Sequence, residues 1–333
     1  MHRRLATAAA AAVLVTGLVA CSAPAEDSPA GSSSAAAEQG ALPVTIEHNY
    51  GSTTIDTTPS RIATLGPGDS DILLKLGIVP TTMAPFYDPT NRSVTTPWNS
   101  DLLEGANPTV LTNATSDLAG EVTKVLASNP QLIVAVNNAV TRPVYDNLAK
   151  VAGTIVREKQ YDDWQVPWQA ATTEVGKAVG KPAETARIVA ETEKRFTDAK
   201  AANPQIVGRT SAVVIGSEAG GVYIYGPGDG RGQMLTNLGM EFPASLQSAI
   251  TDGFYGSISD ENLTLLNGLD KLVVVDYAGA TDKLKANPAF AALDIVKRGD
   301  VVYVDQGLGS AMSVPTVLTI PYVLDRLVPQ LAR

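Results

Sequence analysis

Pro182-Ala183-Glu184-Thr185-Ala186-Arg187-Ile188-Val189-Ala190-Glu191-Thr192-Glu193-Lys194-Arg195-Phe196-Thr197-Asp198-Ala199-Lys200-Ala201-Ala202 is the stretch on which the fold turns. After Pro182 it holds no Gly or Pro and many good helix formers, and Asn203-Pro204 closes it. Proline suits a first helical turn, where its missing N–H leaves nothing unpaired. At about 1.5 Å per residue, a helix over residues 183–202 spans about 30 Å, roughly the diameter of a small domain. Residues 170–179 form a separate helical stretch, cut off from it by Gly180-Lys181.

Apolar runs alternate with helical patterns on both sides of this connector. Before it, strands are expected at residues 62–65, 78–83, 132–136 and 154–156, with helices at 69–76, 122–127 and 144–151. After it, strands are expected at 211–215, 222–225, 272–275 and 301–304. Helices follow at 233–238 and 261–266, near Phe290, and at 315–331, where Pro321 is tolerated. Residues 44–55 read as a β-hairpin turning at Gly51. Such alternation is the signature of a mainly parallel sheet with helices packed on it. The expected fold class is α/β: two α/β halves with central, mainly parallel sheets, joined by one long helix.

Composition narrows the function. A chain of 333 residues suggests about two domains. With 44% hydrophobic and 18% charged residues it is globular. A net charge of -9 argues against nucleic acid, whose phosphates demand clustered Lys and Arg. One Cys allows no disulfide within the chain, and the two histidines, His2 and His48, have no ligand-spaced partner for zinc.

The first residues differ from the rest. His2-Arg3-Arg4 is a short basic start, and residues 5–20 are an apolar run broken only by Thr7, Thr16 and Gly17. This reads as a signal peptide, too short for a comfortable membrane span. The sole Cys, Cys21, follows Leu18-Val19-Ala20, and residues 22–41 are rich in Ala, Ser, Gly and Pro, as a tether should be. Loss of Arg3 and Arg4 lowers Lys+Arg from 25 to 23 against 34 acidic residues, a mature charge of -11. Anionic lipid would repel such a body.

The Leu18-Val19-Ala20-Cys21 step resembles the lipobox of bacterial lipoproteins, which implies cleavage before Cys21 and lipid on its thiol. Further phrases resemble the iron–siderophore group of bacterial ABC-transporter substrate-binding proteins. They are the opening Ile46-Glu47-His48-Asn49-Tyr50-Gly51, Leu74-Lys75-Leu76-Gly77-Ile78-Val79-Pro80, Asn129-Pro130-Gln131-Leu132-Ile133, Ser259-Asp260-Glu261-Asn262-Leu263, Arg298-Gly299-Asp300-Val301-Val302-Tyr303 and Pro321-Tyr322-Val323-Leu324-Asp325-Arg326-Leu327. The resemblance implies two lobes joined by one long helix, with ligand in the cleft between them and limited closure on binding. The implied layout is a signal peptide over 1–20, a lipidated Cys and flexible tether over 21–43, lobes over 44–165 and 204–333, and a connecting segment over 166–203. It further implies a monomer outside the cytoplasm, held to the cell membrane by lipid on Cys21. Its ligand would be a ferric siderophore, passed to an ABC permease and its ATPase. Haem or cobalamin is the alternative ligand of the same fold.

Ligands of open α/β sheets sit beyond the carboxyl ends of strands. The candidate loops are therefore 66–69, 84–98, 137–142 and 160–164 before the connector, and 226–232, 252–256, 277–280 and 306–312 after it. A ferric siderophore arrives with its iron already wrapped, so the protein supplies no metal ligand. It supplies aromatic walls and cations facing the chelator oxygens. Arg231, among the glycines of Gly226-Pro227-Gly228-Asp229-Gly230-Arg231-Gly232, is the leading cation, with Arg92 and Arg142 behind it. Tyr87, Trp98, Tyr225 and Tyr255 are the candidate aromatics. In the family one Glu near a helix start in each lobe pairs with permease arginines. Glu261 fits the second position, while in the first lobe Thr123 stands nearest the expected Glu and Glu121 lies two residues earlier. A secreted enzyme is disfavoured: no Gly-x-Ser-x-Gly elbow occurs, and His48 is the sole mature histidine.

Cys21→Ala is expected to leave folding intact, since no disulfide is lost, and to release the protein from the membrane. Cell fractionation checks this, and stable membrane retention of the variant would defeat the lipid-anchor reading.

Overall fold

The computed structural model describes residues 36–86, 92–114 and 116–333. The expected signal peptide, Cys21, most of the tether and Tyr87 lie outside them. An antiparallel hairpin opens the described fold: β1 (Val44–His48) pairs with β2 (Gly51–Ile55), Val44 opposite Ile55, so the turn is Asn49-Tyr50 and Gly51 already belongs to the return strand.

The first lobe runs β3 (Ile62–Thr64), α1 (Pro67–Lys75), β4 (Thr82–Met83), β5 (Thr109–Val110), α2 (Leu118–Ala127), β6 (Leu132–Ala135), α3 (Arg142–Ala149) and β7 (Gly153–Val156). Its five strands lie in the order β5-β4-β3-β6-β7, all parallel. The order reverses between β3 and β6, and that switch point leaves a crevice beyond their carboxyl ends. The strand expected over 78–83 shrinks to two residues. Gly77 has a positive φ of 74° and Pro80 has no N–H to donate, so pairing starts only beyond them.

Two helices follow, α4 (Trp168–Ala178) and α5 (Pro182–Ala202). The long helix expected from sequence is therefore present over 21 residues. It buries only Thr185, Ile188, Thr192 and Phe196, one stripe at helical spacing. Its outer face carries the i,i+4 ion pairs Arg187–Glu191 and Lys194–Asp198, which contribute little because both partners are in water. The expected flexible tether ends sooner than residue 43. The Glu38 carboxylate accepts the Ala183 and Glu184 N–H groups, each at 2.8 Å, capping the start of α5. Those amides are among the orphan donors every helix start presents, and a carboxylate is favoured there.

The second lobe runs β8 (Ser211–Gly216), β9 (Val222–Tyr225), α6 (Gly230–Asn237), β10 (Tyr255–Ile258), a 3-10 segment (Asp260–Gly268), β11 (Lys271–Val275), α7 (Ala280–Ala286), α8 (Pro288–Ala291), α9 (Asp294–Lys297), β12 (Val301–Val304), α10 (Gln306–Ser313) and α11 (Thr319–Leu331). Its strand order is β10-β9-β8-β11-β12. β8, β11 and β12 are parallel, but β9 runs antiparallel to both its neighbours. This sheet is mixed rather than mainly parallel because only five residues separate β8 from β9, enough for a hairpin and too few for a crossover.

The expected final helix begins later than residue 315. Thr316 N donates to Thr319 Oγ1 at 2.7 Å and Thr319 N donates back to Thr316 Oγ1 at 3.0 Å, so the helix starts at Thr319, the second member of that reciprocal pair. Pro321 then falls in the first turn, where it is tolerated. One buried apolar cluster joins strand residues of both sheets with α4, α5, α10 and α11. No helix among the described residues is long and apolar enough to cross a membrane.

Helices α4 and α5 approach closely at Gly176, where an added Cβ would lie 1.9 Å from Thr185 Oγ1. Gly176→Ala is expected to destabilise the fold by about 1–3 kcal/mol through overpacking. Gly268→Ala meets nothing within 4 Å, and should stay within about 0.5 kcal/mol. Urea unfolding compares the two, and equal midpoints would show that the contact relaxes freely.

Candidate functional site

A cavity of about 830 Å³ opens between the two sheets, within the range of small-molecule sites. The first lobe contributes Pro67, Ser116, Asn137 and Trp164. Pro67 and Asn137 follow β3 and β6, so the cavity abuts the switch point. The second lobe contributes most of the wall: the end of β8 and its turn, Tyr223, Tyr225, Asp229, Arg231, Phe254, Tyr255, Tyr277, Lys283 and Val314 among others.

Aromatic rings form one continuous side. Tyr225 and Tyr255 stack with centroids 6.2 Å apart and planes at 29°. Tyr223 lies 6.4 Å and Phe254 5.4 Å from Tyr255. Tyr223 is 40% exposed, a large apolar face turned to the cavity. Trp164 and Ala278, both lining residues, hold φ of 66° and 49°. Left-handed backbone costs a non-glycine residue of order 1–3 kcal/mol, and such strain concentrates at ligand sites.

Arg231 is not a loop residue. Asp229 caps α6, its Oδ1 accepting the Arg231 N–H at 2.8 Å, so the helix starts before residue 233 and carries Arg231 in its first turn. The guanidinium turns back on the same carboxylate, with Nη1 at 3.1 and 3.0 Å from Oδ1 and Oδ2. It also lies 4.2 Å over the Tyr225 ring, a cation–π contact. The side chains of Arg231 and Asp229 are only 13% and 7% exposed. Burial pushes the Asp229 carboxyl above its usual range, and the Arg231 charge pulls it back. The flanking glycines answer to the chain rather than to a ligand. A Cβ on Gly230 would meet Ser313 O at 2.3 Å, and one on Gly232 would meet Gly226 O at 2.1 Å.

The structure brings Arg231, Tyr225 and Tyr255 together at this wall, and it places the other described candidates elsewhere. Trp98 packs between Phe86 and Tyr322, its indole N–H donating to Asp71 Oδ2 at 3.1 Å, so its place is structural. Arg92 is exposed and donates to Thr112 O and Asn113 Oδ1. Arg142 pairs with Asp146 and lies over Tyr50 and Tyr145, away from the cavity. Glu121 is only 2% exposed, because it folds back to accept the Asn113 N–H at 2.9 Å and pairs with Lys124. A carboxylate so enclosed cannot dock a partner, which corrects that expectation. Glu261 is exposed at the start of the 3-10 segment, where hydrogen bonds from its own backbone and from Ser259 hold its carboxyl below the usual range. Sequence reading missed the 215–221 turn, Tyr223 and Lys283. The Gly220-Gly221 turn directly after a strand was the available signal.

Three buried acids stand behind the first-lobe wall. Asp69 accepts the Gly66 and Asn137 N–H groups at 3.1 and 3.0 Å, tying the loop after β6 to the start of α1. Asp71 Oδ2 accepts from Trp98 and from Thr316 Oγ1 at 2.8 Å, tying α1 to the chain before α11. Burial raises both to about 7 against those hydrogen bonds. Neither carboxylate oxygen of Glu174 has a hydrogen-bond partner among the described residues. Burial first, then Glu158 and Asp69, raise it to about 9.

The sequence matches a family described as periplasmic binding protein over residues 62–308. It is 27% identical over 280 residues to YhfQ of Bacillus subtilis (strain 168), named as an ABC transporter substrate-binding lipoprotein, covering 80% of this chain and 82% of that one. It is 28% identical over 267 residues to the Fe(3+)-citrate-binding protein YfmC of the same organism, covering 78% of each. The crystal structure of PiaA from Streptococcus pneumoniae TIGR4 in complex with ferrichrome superposes with a TM-score of 0.75 at 25% identity, over 87% of this chain and 97% of that one.

Between an ordinary pKa of 4.5 and the raised value of about 9, unfolded Glu174 sheds its proton while the native group keeps it. The native state then binds more protons, so stability should fall as pH rises through that window. Calorimetric Tm is expected to drop between about pH 5 and pH 9, and less steeply in Glu174→Gln. Parallel profiles would show that Glu174 does not titrate as its surroundings require.

Proposed function

The chain belongs to the periplasmic binding protein family, and on that premise we propose that it is the substrate-binding protein of an ABC importer, capturing a ferric siderophore and delivering it to a membrane permease. The observation that carries this reading is the aromatic-walled cavity between the lobes, large enough for a bulky chelate. A wrapped ferric ion asks the protein for shape, ring faces and a few directed hydrogen bonds. Tyr223, Tyr225, Tyr255 and Trp164 supply the faces, and Arg231 supplies a cation already oriented by Asp229.

The mode of capture follows from the core. Both sheets and α5 share one apolar cluster, so large hinge closure would break packing. The cavity therefore meets the ligand nearly formed, with movement confined to side chains and loops. Transport, not catalysis, is the role assigned, and the lipid on Cys21 keeps the acidic body near the permease that surface charge alone would not hold it to. Glu261, exposed on the second lobe, is the docking contact this reading retains.

Ferric siderophores added to the mature chain are expected to quench Trp164 fluorescence and raise Tm. Binding of haem or cobalamin with no response to any ferric siderophore would overturn the proposal. Arg231→Lys keeps a charge beside Asp229 but loses the planar fork and the stacking on Tyr225. It should weaken the same ferric ligand about tenfold, the worth of one charge-assisted hydrogen bond. Equal affinities by titration would remove Arg231 from the site.

A further inference from the structure

The kind of chelate is written in the charges of the cavity wall, given the ferric-siderophore reading above, on which this inference rests. Fe(3+) wrapped by three hydroxamates, each shedding one proton, is electrically neutral. Wrapped by three catecholates, each shedding two, it carries three negative charges, and ferric citrate complexes are anionic as well. A polyanion entering a half-enclosed cavity gives up hydration and needs surplus cations to replace it.

The wall offers no surplus. Among the described lining residues the cations are Arg231 and Lys283, and the anions are Asp229 and Glu218. Arg231 is already neutralised: its Nη1 reaches both Asp229 oxygens, at 3.1 and 3.0 Å, in a pair that is almost fully buried. Lys283 and Glu218 face each other at 4.0 Å on side chains 74% and 94% exposed, where solvent and salt screen them. Behind the wall stand more acids. Asp260 accepts the Gly221 N–H at 2.8 Å, and Asp276 accepts the Thr281 N–H at 3.1 Å. The whole chain carries -9. A neutral ligand is indifferent to that field, and the tyrosine faces suit its organic spacers.

We propose that the cavity selects electrically neutral or cationic ferric tris-hydroxamates and rejects polyanionic tris-catecholate and citrate complexes, because Asp229 cancels Arg231 at its wall.

The test titrates the mature chain at low and physiological salt with four probes: ferrichrome, which is neutral; ferrioxamine B, which has a free ammonium; a ferric tris-catecholate; and ferric citrate. The hydroxamates are expected to bind at least about 100-fold tighter than either anion. Ferrichrome affinity should change less than about threefold between the two salts, since no net ion pair forms. An anionic complex binding as tightly as ferrichrome would overturn the inference while leaving the ferric-siderophore reading intact. No response to any of the four, with tight binding of haem or cobalamin, would remove that reading and this inference with it. Asp229→Asn keeps a good cap for α6 and frees the Arg231 charge. It should move the affinity ratio toward the tris-catecholate by about tenfold or more. Glu218→Gln, on an exposed side chain, should move it the same way by a smaller factor. Ratios unchanged in both variants would show that wall charge does not set the choice.

Discussion

Ile62 and Val134 of one sheet and Val213 and Val275 of the other belong to the same buried apolar cluster, together with Ile188 and Phe196 of α5. Each fully buried aliphatic or aromatic side chain of this kind contributes about 1.5–3 kcal/mol. Swinging the lobes apart would expose many of them at once. The relative position of the sheets is therefore a property of the folded core. A cavity bounded by lobes that share one buried core resists large rearrangement.

Polar contacts refine what the core sets coarsely. Asp69 fastens the loop after β6 to the start of α1, on the two sides of the switch point. Asp71 joins α1 to Trp98 and to Thr316, drawing the chain before α11 against the first lobe. That same chain also packs close to the second lobe, since Ser313 O and Pro315 Cδ lie 2.3 and 2.5 Å from where a Cβ on Gly230, at the start of α6, would stand. Carboxylates in these positions cost desolvation, visible in their raised proton affinities, and directed hydrogen bonds offset part of it.

At the wall itself one residue serves two ends. Asp229 caps α6 and neutralises Arg231, and by doing both it fixes where the guanidinium lies over Tyr225. The arginine is thus a preorganised donor rather than a free charge. Paired wall charges, stacked ring faces and a preoriented guanidinium thus meet at one cavity.

Much of the fold was legible in the chain's order. Hydrophobic periodicity and the Gly- and Pro-free run after Pro182 are local signals, so strands, the long helix and the two-lobe α/β plan could be read residue by residue. The mixed second sheet was legible only in part, because five residues between β8 and β9 signal a hairpin to a reader who counts them. Site residues divided along the same line. Tyr225 and Tyr255 were found because they sit at strand ends, and Arg231 because it lies in the short segment that follows β9, all of which sequence locates. Trp98, Arg92, Arg142 and Glu121 looked equally eligible, yet their neighbours come from distant segments. Tyr322 lies against Trp98, Asn113 holds both Arg92 and Glu121, and Tyr50 lies under Arg142. Sequence alone determined the class of fold, the acidic body and the chemistry available at strand ends. Tertiary structure alone decided which of those side chains share a cavity and which are consumed by packing, because burial and charge pairing depend on contacts between residues far apart in the chain.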